Sequence, residues 1–301
     1  MSAQSGVAGA VYDRGYRPYV GPRGGRQEAT IALWRLSVRR ALGLRRSWRQ
    51  KVLPWSLLAI ATVPAVVNVG VAFALKDNPL DFRDFEFITY REYVGVSTTL
   101  LLFVALVAPD VMCPDRAQRV LPLIFSRPLT GPDYVLAKVA AITTIVFGFG
   151  FLPQVVLYVG QMFVSRGGAL NYLTHHAGPL WQVPVSVLIL AVYYAAIGVA
   201  LSSLTDRRIV GGVAILGLFL ITSTVASIFE AAADFHGTPM AVFNLLALPL
   251  AVRDLVFLGR LSQDTGLSGV DGGGAVAVAG YLLVVLGAIA LLLRRYREVD
   301  L

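Results

Sequence analysis

Few residues in this chain could carry covalent chemistry, and their spacing works against it. The histidines are His175, His176 and His236. His175 and His176 are adjacent, so on a helix they point about 100° apart and do not form a metal-ligand pair. Both fall in an expected outer loop, where solvated imidazoles are the simpler expectation. Cys113 is the only cysteine, which excludes an intrachain disulfide. No Ser/His/Asp set can be placed from spacing alone. A GxxxxGK[ST] phosphate loop is absent. The glycine-rich pieces Gly21–Gly25 and Gly272–Gly274 lack its lysine and its flanking strand and helix, and are expected to be flexible segments. Hence no catalytic residue, metal or cofactor is assigned to this chain.

What remains is ionic chemistry in two polar breaks. The longer runs from Cys113 to Lys138 and carries Asp115, Arg116, Arg119, Arg127 and Lys138. Within it Ala117, Val120, Leu121, Ile124 and Phe125 recur at the spacing of one helix face. Asp115 follows Pro114 where an N-cap would stand, and Pro122 is expected to shorten or kink the helix. A small helix with one apolar and one arginine face, slung between two apolar runs, is suited to touching another protein. The shorter break, 205–208, carries Asp206, Arg207 and Arg208.

The elements that position these breaks are apolar. The 301 residues are 56% hydrophobic and 15% charged, against about 25% charged in soluble domains. Six runs are expected to be helices crossing a membrane: 52–75, 93–112, 139–164, 183–204, 209–229 and 275–293. Even the last, at 1.5 Å per residue, reaches roughly 28 Å, the thickness of a bilayer's hydrocarbon core. The fold class is therefore an all-α integral membrane protein. The net charge of +8 reflects basic residues beside apolar runs, so no nucleic-acid partner is expected. With the N-terminus inside, the inner segments hold 20 Lys and Arg and the outer ones 6. Both termini are thus expected to be cytoplasmic, including the tail 294–301. Arginine outnumbers lysine 23 to 3, a composition that leans towards a GC-rich bacterial source and a bacterial cell membrane.

Outside the spans, residues 1–27 are expected to form an extended tail, with Tyr12, Tyr16 and Tyr19 as alternative docking residues. No secretory signal pattern is seen in the first 51 residues. Residues 28–51 place Ile31, Trp34, Val38, Ala41, Leu42 and Trp48 on one stripe, and are expected to form an amphipathic interfacial helix anchored by Trp34 and Trp48 in membrane lipid. Segment 230–274 is too long for a simple turn. Its apolar piece Met240–Val252 is too short to span, and is expected to be re-entrant or membrane-dipping.

The membrane interior offers Asn68, Gln154, Gln161 and hydroxyls, with Asp110 near one end of the second run. Asp110 is expected to reach the headgroup boundary rather than to pair with a loop arginine. Buried carboxylates of the kind that couple ion flux are missing, which counts against an ion-coupled secondary transporter. A membrane-embedded enzyme would need polar clusters at one depth, and none is apparent. A membrane anchor without transport stays open.

The order of these parts resembles the permease subunit of bacterial type-2 ABC exporters, with an actinobacterial-like N-terminus (YDRGYRPYVGPRGGR). The resemblance rests on the interfacial helix, the six spans, the first inner loop and the segment before the last span. In the loop it rests on Asp115, Ser126-Arg127-Pro128, Tyr134 and Lys138; SSLTDRR, Ser202–Arg208, resembles the family's second loop. The chain departs from the family at Asp115–Arg119, where a Glu and a Gly are usual. The resemblance implies a subunit that does not hydrolyse ATP. Its partners would be two copies of a cytoplasmic ATPase, which would hold the ATP and Mg, and a second identical or related permease. It also implies an ATPase-coupling surface at Asp115, Arg116, Arg119, Ile124, Phe125, Arg127, Pro128, Asp206, Arg207 and Arg208. The exported substrate would be lipid-like, drug-like or amphipathic.

Overall fold

The structure, a computed structural model, describes residues 24–44, 48–75, 89–94, 97–165, 168–233, 239–263 and 265–297. Every regular element among them is helical. In chain order these are α1 (Arg26–Ala41), α2 (Trp48–Leu75), α3 (Tyr90–Val94), α4 (Ser97–Ala117), α5 (Leu121–Phe125), α6 (Gly131–Val164), α7 (Gly168–His175), α8 (Gly178–Ser203), α9 (Arg208–Ala233), α10 (Leu248–Leu258) and α11 (Gly273–Arg297). A 3-10 turn, Pro239–Phe243, precedes α10. Among the described residues, six stretches are long and apolar enough to cross a membrane: Pro54–Ala74, Tyr90–Ala117, Gly131–Val164, Gly178–Ser203, Arg208–Phe229 and Gly273–Arg297. Each expected run has its counterpart, but several ends move.

The largest shift is at α6. Thr130 and Asp133 form a capping box, with the Thr130 N–H donating to Asp133 Oδ2 at 3.0 Å. Pro132 occupies the first turn, where no N–H is needed. The helix therefore begins at Gly131, and the residues up to Lys138 that hydropathy left in the loop are helical. The interfacial stretch changes as well. α1 stops at Ala41, residues 45–47 lie outside the described ones, and Trp48 opens α2 instead of closing α1. The buried face of α1 is Leu33, Ser37 and Ala41, with Trp34 and Val38 half-buried and Ile31 exposed. The stripe is turned because α1 packs along α6 and α4. The Trp34 indole Nε1 donates to Thr144 Oγ1 on α6 at 3.4 Å.

α8 and α4 are the centre of the bundle. In them 72% and 69% of the apolar window is buried, against 17% in α2 and 22% in α9. α8 touches α4, α6, α9, α10 and α11. α9 approaches α4 so closely that a Cβ on Gly212 would stand 2.8 Å from the Ala105 carbonyl oxygen, which is why glycine suits this crossing. The interior amides join helices: Gln161 Nε2 donates to Asn68 Oδ1 at 2.9 Å and Gln154 Nε2 to the Tyr90 carbonyl at 3.3 Å.

The apolar piece 240–252 is divided between the 3-10 turn and α10, which packs on α8 and α11 and ends at Gly259 in the left-handed region (φ 67°). Gly273 and Gly274 are the first turn of α11, not a flexible linker. A Cβ at Gly273 would sit 2.2 Å from the Leu267 carbonyl oxygen, so the turn before α11 is pressed onto the helix start. The tail 1–23, His236 and residues 298–301 lie outside the described residues.

Candidate functional site: a charge cluster beneath the first loop

The loop starts with the way α4 ends. Val120 N–H donates to the Asp115 carbonyl at 3.1 Å and Arg119 N–H to the Arg116 carbonyl at 2.9 Å. Arg119 itself is left-handed, with φ 52°. This is a Schellman closure with arginine where glycine is usual. It overturns two expectations. Asp115 does not cap a new helix but lies in the last turns of α4. The break falls at Gln118–Val120, before Pro122, which sits in the opening turn of α5, where proline is tolerated. Ala117 to Phe125 is therefore not one amphipathic helix.

Asp115 points inward and is 4% exposed. Its Oδ1 accepts from Arg40 Nη1 at 2.6 Å, and its Oδ2 from Lys138 Nζ at 2.5 Å and from the Tyr134 hydroxyl at 3.1 Å. Lys138, 2% exposed, also donates to the Val111 carbonyl at 3.2 Å. Tyr134 packs its ring 5.0 Å from that of Tyr296 and 5.9 Å from that of Phe125. One carboxylate thus ties together α1, α4 and α6, and the aromatic rings extend the cluster to α5 and α11. Burial of an isolated charge would be prohibitive; two cations and a hydroxyl around Asp115 make it tolerable. At the other end of α1, Arg26 Nε donates to Asp133 Oδ2 at 2.7 Å. That hydrogen bond holds the Arg26 guanidinium above its ordinary, already high value.

The second break is tied to the first. Arg116 Nε meets Asp206 Oδ1 at 3.1 Å, and Arg116 also donates to the Ser203 carbonyl. Cys113 Sγ lies 3.6 Å from the Ser202 carbonyl. Asp110 pairs with Arg208, so it is not simply a headgroup-level carboxylate. The pair contributes to a cavity of about 780 Å³ between α2, α4 and α9, whose lining is mostly apolar and includes Arg40, Leu102 and Leu216.

Of the expected coupling residues, Asp115 is buried, while Ile124 and Phe125 are half-buried against the core. The apolar face of α5 is turned inward. Exposed at this place are Arg119, Pro122, Leu123 (70% exposed), Arg127 and Pro128, together with Arg207 and Arg208. Arg116 and Asp206 link the two loops. Trp48's side chain lies outside the described residues. Arg40 escaped the sequence reading because its partner is 75 residues away. The signal that could have found the cluster is Tyr134 and Lys138, four apart on one helix face.

Elsewhere the chemistry stays sparse. His175 and His176 are exposed, and the His176 ring stacks on Tyr172 at 4.3 Å. Among the described residues no group of three or more His, Cys, Asp or Glu could hold a metal ion. No protein-family model matches the chain, and no curated protein matches it significantly.

Proposed function

We propose that the chain is the membrane-spanning permease subunit of an ATP-driven ABC exporter, multi-pass in a bacterial cell membrane with both termini cytoplasmic. The observation that carries this reading is the build of the first loop. A turn that exposes Arg119, Leu123, Arg127 and Pro128 stands on a buried ionic cluster joining three helices. A docking element must be accessible to its partner and stiffly connected to the spans it moves. This loop meets both needs, since α5 leads back to α4 through the Schellman closure and forward to α6 through the capping box.

In this mechanism ATP binding draws two cytoplasmic ATPases together. Each ATPase receives Leu123 and the arginines of the first loop in a groove. The push passes through α5 into α4 and α6, and the Arg116–Asp206 pair carries the second loop with it. α1 lies at the membrane interface, and the segment 239–258 dips into the membrane from the far side. Two permeases, identical or related, would enclose the pathway. The apolar cavity between α2, α4 and α9, with Asp110 and Arg208 in its lining, suits a lipid-like or amphipathic substrate.

Copurification tests the reading. The chain, expressed with its neighbouring genes, should bring a phosphate-loop ATPase with it in mild detergent. Arg119→Glu with Arg127→Glu should reduce that association by tenfold or more while the protein stays monodisperse. A monodisperse protein that captures no ATPase would refute the reading. Unchanged capture by the double variant would remove the first loop as the dock.

A further inference from the structure

The span Tyr90–Ala117 carries Asp115 near one end. At its other end lies a second ionic cluster that no sequence pattern singled out. Asp254 Oδ1 accepts from Arg91 Nε at 3.0 Å and from Arg253 Nε and Nη2 at 3.0 and 2.6 Å. Arg253 Nη1 donates to the Arg91 carbonyl at 3.1 Å. The Asp254 and Arg253 side chains are 3% and 8% exposed, and that of Arg91 is 28% exposed. One carboxylate therefore faces two guanidinium groups, and among the described residues the cluster keeps one positive charge.

That charge is not distributed evenly. Arg253 uses Nε, Nη1 and Nη2. Arg91 donates through Nε, and its two Nη groups make no hydrogen bond to a described residue. Arg91 borders a cavity of about 300 Å³, whose wall also includes Arg253 and Asp254 of the cluster, Asn244, Ala247 and Leu248. Asn244 Oδ1 accepts the Ala247 N–H at 3.1 Å, which leaves the Asn244 amide nitrogen as a second donor. A half-buried guanidinium edge that exceeds the described carboxylate in charge, a neighbouring amide donor and a partly apolar wall make a receptor for an oxyanion beside the Arg253–Asp254 pair. A guanidinium fork fits a carboxylate or phosphate with two parallel hydrogen bonds, and pockets of this size hold a small ligand or a headgroup.

We propose that this cavity binds a phosphate or carboxylate group against the free edge of Arg91. The inference does not depend on the ATPase reading, because the site lies at the opposite end of the span from the first loop.

The test uses the full chain in phosphatidylcholine nanodiscs, titrated separately with dioctanoyl phosphatidic acid, inorganic phosphate and dioctanoylglycerol. Saturable binding of an anionic probe and none of dioctanoylglycerol is expected. Phosphatidic acid binding at least tenfold tighter than inorganic phosphate would identify a lipid headgroup as the source of the oxyanion; equal affinities would identify the free ion, and either result sustains the site. Arg91→Gln should weaken binding tenfold or more. Ala247→Trp fills the cavity while leaving the ionic cluster intact, and should do the same even if Arg91→Gln fails to fold. Absence of saturable binding by either anion would overturn the proposal. So would wild-type affinity in Ala247→Trp.

Discussion

Asp115 accepts from three donors on two other helices, and Lys138 is the more deeply buried of its two cationic partners. The cluster is worth little as a net source of stability, because desolvation offsets most of the attraction. Its physical weight lies in what happens when one member is removed. Asp115→Ala leaves Lys138 charged in a site that is 2% exposed, and should destabilise the protein by about 3–5 kcal/mol. Lys138→Met added to Asp115→Ala removes the orphaned charge, so the double variant should melt above Asp115→Ala alone. Thermal unfolding in detergent, run as a double-mutant cycle, would show this as a non-additive pair. Additive losses would mean that Lys138 does not depend on Asp115.

Helix ends decide the shape of the first loop. α4 closes on a left-handed Arg119 and α6 opens on the Thr130–Asp133 box, so the loop is shorter than hydropathy implies and α5 is confined to one turn and a half. Glycine takes the left-handed conformation without the Cβ penalty of about 1–2 kcal/mol. Arg119→Gly should therefore leave the melting temperature equal to or slightly above wild type. A branched residue, Arg119→Val, should lower it. These variants separate backbone from charge: if Arg119 touches an ATPase, Arg119→Gly keeps the fold yet loses association. Loss of stability in Arg119→Gly would show that the side chain, not the backbone, holds the closure.

For the whole molecule, the arrangement places the first loop and the α10 region at opposite ends of a six-helix bundle whose centre is α8 and α4. α2 and α9 turn large apolar side chains outward, among them Ile60, Phe73, Val213 and Ile221, surfaces suited to lipid or to a second copy. The expected topology is directly testable, because the native Cys113 is buried. Leu123→Cys should react with a membrane-impermeant maleimide only from the cytoplasmic side. Arg260→Cys, just beyond α10, should react only from the outside. Labelling of both from one side would refute the six-span arrangement.

Much of this was determined by the sequence alone, for reasons that are local or additive. Six apolar runs imply six membrane-length helices because each backbone must satisfy its own hydrogen bonds in lipid. The missing phosphate loop is likewise a statement about contiguous residues. The Thr130–Asp133 box was equally local, and could have been read from its letters. Tertiary structure alone decided the rest. It turned Asp115 from an exposed cap into a buried hub, turned Ile124 and Phe125 inward and left Leu123 outside. It also brought Arg91 to Asp254 across 163 positions. Pairing energy between distant charges depends on separation and burial in space, neither of which residue order encodes locally. For that reason the polar break from Cys113 to Lys138 was visible as a feature of the chain, while its anchoring cluster and the cavity beside Arg91 emerged only once the helices had packed.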